Sequence, residues 1–139
     1  MSTAKNILDK YKSRSIDNIC LNAMENTTDD YVQANRLQML YGLDKNNERI
    51  GAYKNAKYKA RKEALNPRAG GYVDLRLSGR YYQSIKATVS GTEILVTASD
   101  SKAKYLEEKY GESIYGIGYD FRRRYLTLLK KETINEFNK

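Results

Sequence analysis

The chain of 139 residues carries 25 Lys and Arg against 17 Asp and Glu, with no His, no Trp, one Cys and one Pro. That length suits one domain with one core, and the missing His removes the commonest general acid–base near neutral pH, the imidazole metal ligands and every Ser-His or Cys-His nucleophile pair. With Cys20 alone there is no intrachain disulfide and no thiolate metal cage, so composition leans away from catalysis. The net charge of +8 and isoelectric point near 9.5 favour an anionic partner. The longest apolar runs, such as Ile94-Leu95-Val96, fall far short of the roughly 20 residues that span a bilayer.

From Lys5 to Met24 the apolar residues form a one-sided stripe with a phase break near Ser13-Arg14-Ser15, which predicts one long helix or two short ones with Cys20 as a small core residue. Asn26 to Asp30 offers N-cap chemistry for a second helix that stops at Gly42. Between Gly51 and Leu65 an Ala recurs every fourth position, with Lys, Arg and Tyr on the other faces, and Asn66-Pro67 ends this third helix. Val73, Leu75 and Leu77 alternate with Asp74 and Arg76, the signature of a strand. Ser78 then caps a turn of helix over Arg80–Gln83, and Ile85–Val89 and Ile94–Ala98 flank Ser90-Gly91 as a hairpin. Ser99 or Asp100 caps a helix ending at Gly111, a Gly- and Tyr-rich loop runs to Gly118, and a terminal helix starts near Asp120. The order predicts an α+β fold: N-terminal helices, a small mostly antiparallel central sheet with a hairpin, and C-terminal helices. Residues 1–139 read as a single domain, comprising a helical N-terminal arm (1–43), an α+β core (44–118) and a C-terminal helix (119–139).

Two basic constellations are candidates for an interface or for anion contact. The first is Lys54, Lys57, Tyr58, Arg61, Arg76, Arg80 and Tyr81, in a stretch with eight Lys or Arg against Glu63 and Asp74. The second is Arg122, Arg123, Arg124, Lys130 and Lys131 on the terminal helix, where guanidinium forks suit carboxylate or phosphate. The competing structural readings are a solvated helix face for the first and pairing of the arginines with Glu107, Glu108 or Glu112 for the second. No catalytic, cofactor or metal site is predicted; Asp74 and Asp120 are the one faintly suitable carboxylate pair for a metal-dependent hydrolase.

The stretch Val73-Asp74-Leu75-Arg76-Leu77-Ser78-Gly79-Arg80-Tyr81-Tyr82-Gln83-Ser84-Ile85, followed by the hairpin, resembles the L-x-[TS]-G-x-[LFY]-x-x-S-[IF] segment of small tailed-phage virion-morphogenesis proteins of the head–tail joining and tail-completion type. Tyr53–Lys59 and Ser99–Gly111 resemble versions from crAss-like phages, and the likeness covers about residues 43–118. Arg80 and Tyr81 depart from the acidic and small residues usual after that Gly. The resemblance implies a non-enzymatic virion subunit, made in the host cytoplasm and built into a ring at the neck or tail. Its implied partners are copies of itself and neighbouring neck, portal or tail proteins, with packaged DNA as a non-specific contact and no membrane. It also implies that residues 1–43 carry subunit contacts and that removing them leaves the central sheet folded. The alternative is a small basic nucleic-acid-binding protein.

Overall fold

A computed structural model describes residues 15–139. The part of the predicted Lys5–Met24 stripe that precedes Ser15 lies outside them. Ser15 accepts a hydrogen bond from the Asn18 amide at 3.1 Å and so starts helix α1, Ile16–Asn26, at the predicted phase break. The buried stripe of α1 is Ile19 and Ala23, whereas Cys20, expected in the core, is exposed. Within the Asn26–Asp30 cluster Thr27 stands at the N-cap of α2, Thr28–Leu40, but its side chain makes no capping hydrogen bond. Its hydroxyl instead donates back to the Ala23 carbonyl at 2.8 Å and lies 3.0 Å from the Tyr125 hydroxyl.

Helix α3 spans Ala56–Leu65, and Asn55 caps it by accepting from the Tyr58 amide at 3.0 Å. After a 3-10 turn at Pro67–Ala69 the chain passes through an irregular loop into α4, Arg80–Ser84. The hairpin β1, Ile85–Ser90, and β2, Glu93–Ala98, pairs antiparallel from Ile85↔Ala98 to Ser90↔Glu93. Helix α5 is Ala103–Tyr110, a 3-10 turn covers Glu112–Ile114, and α6 is Tyr119–Phe137. Over the described residues six helices and a two-stranded sheet, with helices on both sides of the hairpin in chain order, make the α+β class. None of the helices over the described residues is long and apolar enough to cross a membrane.

The strand expected at Tyr72–Leu77 does not form; Tyr72 makes only an isolated bridge to Ala52. A strand would turn Asp74 to solvent, but its side chain is buried, and Leu75 takes a left-handed φ of 60° that breaks the extended chain. Ser78 is likewise a weak cap, its hydroxyl 3.5 Å from the Arg80 amide, and the turn into α4 rests on Gly79 at φ 88°.

The core gathers Val32, Met39, Val73, Leu75, Tyr82, Ile85, Leu106 and Ile114, with α2 packed on both β1 and α6. Residues 28–40 are therefore part of the core, not an arm, and removing residues 1–43 would take Val32 and Met39 out of it. Two side chains of α2 also hold the Gly-rich loop. Asn35 donates to the Ile114 carbonyl at 3.0 Å and accepts from the Gly116 amide at 2.8 Å. Gln38 donates to the Gly116 carbonyl at 2.9 Å and accepts from the Gly118 amide at 2.7 Å. Gly118 has no room for more, since a Cβ there would sit 3.0 Å from the Lys45 carbonyl oxygen. Gln38→Leu keeps similar bulk but leaves a buried amide unpaired, so we expect a loss of about 2 kcal/mol in urea unfolding.

Candidate functional site

Helix α3 is exposed along almost its whole length: Ala56, Ala60 and Ala64 face solvent, Leu65 is 73% exposed, and its one buried residue is Lys62. An amphipathic helix docks by an apolar stripe; this one docks by a charge. The Lys62 ammonium lies 2.8 Å from Asp74 Oδ1 and donates to the Arg76 carbonyl at 2.6 Å. Asn66, the C-cap of α3, donates to Asp74 Oδ2 at 2.9 Å and to the Leu40 carbonyl at 2.7 Å. The Arg76 amide bonds Asp74 Oδ1 at 2.9 Å, and the Tyr82 hydroxyl donates to the Asp74 carbonyl. Asp74 thus pins α3, the irregular loop and α4 together. That satisfies a buried carboxylate, and it commits Asp74 to structure and away from any pairing with Asp120, which is exposed in the first turn of α6.

Between α3, the Asp74 loop and α5 lies a groove of 420 Å³. Its aromatic walls are Tyr53, Tyr58, Tyr105 and Tyr110, and its charged lining is Lys54, Arg76 and Lys109 with no carboxylate. Tyr53 and Tyr58 meet edge to face at 5.0 Å, and the Lys109 ammonium lies 5.3 Å from the Tyr110 ring centre. The pattern behind the far wall is two i, i+4 pairs on α5, Tyr105 with Lys109 and Leu106 with Tyr110. Such a lining suits an anionic group joined to an apolar or aromatic body.

Of the residues expected from sequence, Lys54, Tyr58 and Arg76 come together here. Lys57, Arg61 and Arg80 are exposed but do not line the groove. Tyr81 cannot serve as a contact: it is 2% exposed, and its hydroxyl donates to Tyr115 at 3.0 Å, which in turn donates to Glu107 at 2.6 Å. Arg122, Arg123, Arg124, Lys130 and Lys131 are exposed on α6, which packs on α1 and α2. Among the described residues no ion pair joins Arg122–Arg124 to Glu107, Glu108 or Glu112. Tyr119, Leu126 and Ile134, at 70%, 49% and 52% exposure, share the outward face of α6 with Arg123 and Lys130. Tyr105, Lys109 and Tyr110 were not expected in the site, and Lys62 and Asn66, read as an outward cation and a helix end, turn inward to Asp74.

Burial pushes four phenols upward, Tyr81 to about 12 and Tyr53, Tyr82 and Tyr115 further; at Tyr115 the hydrogen bond to Glu107 adds to the effect. The folded chain keeps protons that the unfolded chain releases near pH 10. Stability is therefore full below about pH 10 and falls as pH rises through 10 toward 12 and above. An alkaline titration of phenolate absorbance is expected to show a late, cooperative step that coincides with loss of helical circular dichroism.

No group of three or more His, Cys, Asp or Glu among the described residues is placed to hold a metal ion. Comparison with known proteins finds no matching family model, curated protein or solved structure.

Proposed function

We propose that this chain is a non-enzymatic structural subunit of a tailed-phage virion, repeated as a ring at the neck or tail in the manner of head–tail connector and tail-completion proteins. The observation that carries the reading is α3. A helix that buries a single lysine and leaves Tyr58, Leu65 and the basic residues outward has little packing within its own chain, and such surfaces mark sites of association. A ring made by head-to-tail contacts needs two unlike patches on each copy. The basic tyrosine groove is one; the face of α5 opposite Tyr105, which carries Glu107, is of the other sign. The resemblance of Val73–Ile85 to virion-morphogenesis proteins fits the same picture. In the structure this segment is the Asp74 pin with α4, the element that presents α3. Expected partners are copies of itself and neighbouring neck, portal or tail proteins.

Mass spectrometry of gradient-purified particles tests the reading. The chain is expected at a stoichiometry that fits a ring, and its absence from particles would refute the proposal. A second reading, binding to nucleic acid, is favoured by the same three cations and four tyrosines, which combine phosphate contact with stacking. It predicts affinity for a single-stranded oligonucleotide that falls steeply with salt and drops further in Tyr58→Ala.

A further inference from the structure

We propose that the outer edge of β2 is a docking site for an extended polypeptide segment bearing Lys or Arg, which joins the hairpin as a third strand. The Ser90↔Glu93 pair leaves Gly91 and Thr92 as a two-residue loop, with Gly91 at φ 61° as a tight hairpin turn of this kind requires. In such a hairpin the residues flanking the loop exchange both hydrogen bonds and the pattern then alternates. Glu93, Leu95 and Thr97 therefore bond to β1, while Ile94, Val96 and Ala98 turn their N–H and C=O groups to the open side. The sheet stops there, and among the described residues no hydrogen bond other than those to β1 reaches the backbone of 93–98.

Proteins usually blunt such an edge with a bulge, a proline or a lysine. Here the six pairs run without interruption, and the one charge on β2 is Glu93, beside the turn. The other edge of the hairpin is partly covered: α2 packs on β1, and Arg36 donates to the Ile85 carbonyl at 3.3 Å. A channel of 560 Å³ runs beside β2, walled by Lys45, Glu107, Glu112 and Tyr115. An added strand lies about 4.8 Å from its neighbour, so this space takes a single extended segment. Side chains alternate along a strand, so every second residue of the incoming segment faces that wall. Two carboxylates against one ammonium reverse the sign of a chain whose net charge is +8, and they select Lys or Arg at those positions. The inference does not depend on the virion reading.

The test uses the full chain and two labelled, acetylated heptapeptides, one alternating Lys with Thr and one alternating Glu with Thr. Fluorescence anisotropy follows binding, and sedimentation velocity follows the chain alone. The Lys peptide is expected to bind at least tenfold tighter than the Glu peptide. Val96→Pro removes an outward N–H and leaves the bonds to β1 in place, so it is expected to weaken binding at least tenfold. Glu112→Lys, an exposed change that leaves the fold alone, is expected to weaken it several-fold. Failure of the Lys peptide to bind, equal binding of the two peptides, or undiminished binding by both variants overturns the proposal. So does self-association that Val96→Pro abolishes while neither peptide binds, which would assign the edge to a second copy.

Discussion

Asp74→Asn is expected to cost about 3 kcal/mol, roughly a 10 °C fall in unfolding midpoint, although no apolar contact is lost. The substitution leaves the Lys62 ammonium buried beside a neutral amide. The side chains of the pair are only 10% and 2% exposed, so water does not step in. The same carboxylate holds the C-cap of α3 through Asn66 and the loop through the Arg76 amide. Loss therefore centres on α3, and hydrogen exchange there is expected to quicken before that of α2 or the hairpin. Removing both charges, as Lys62→Met with Asp74→Asn, is expected to recover part of the loss, because an unpaired buried charge costs more than a missing pair. A single Asp74→Asn variant within about 0.5 kcal/mol of the parent would show that the carboxylate is not the pin.

On the proposed virion role, reversing the charge of the groove, as Lys54→Glu, Arg76→Glu and Lys109→Glu together, is expected to reduce incorporation into particles at least tenfold while the chain stays folded. Lys54, Arg76 and Lys109 are exposed, so their carboxylate replacements change the field of the groove more than the stability of the core. Lys86→Glu, Lys102→Glu and Lys104→Glu together make the same change of net charge at exposed sites outside the groove and are the control. Equal incorporation of the two variants would remove the groove from the interface. Equal loss would mean that overall charge, not this surface, governs assembly.

The hairpin was legible because Ile85, Ala87 and Val89 and then Ile94, Val96 and Ala98 alternate without a competing pattern. Tyr72–Leu77 alternates as cleanly and is not a strand. The difference is Asp74, whose partners Lys62 and Asn66 lie 12 and 8 residues earlier, a relation that periodicity within the segment does not contain. Helix α3 was readable from its alanines, but their regular spacing does not tell a packed stripe from an exposed one. Lys62 decided the matter. Half of the groove was visible as the basic run around Lys54 and Tyr58, and the other half was not. Tyr105, Lys109 and Tyr110 belong to an element about 50 residues later, which only the tertiary fold brings opposite. Asn35 and Gln38 were hidden in another way: they share a helix face with Val32 and Met39, and a polar residue on an apolar face signals a buried hydrogen bond without naming its acceptor.

A cryo-electron microscopy reconstruction of the neck and tail of a phage particle tests the proposed ring directly. The expected result is a ring of copies in which α3 and the tyrosine groove of each subunit lie against a neighbouring protein. A particle whose neck and tail density is filled without this chain, or a ring in which α3 faces bulk solvent on every side, would contradict it.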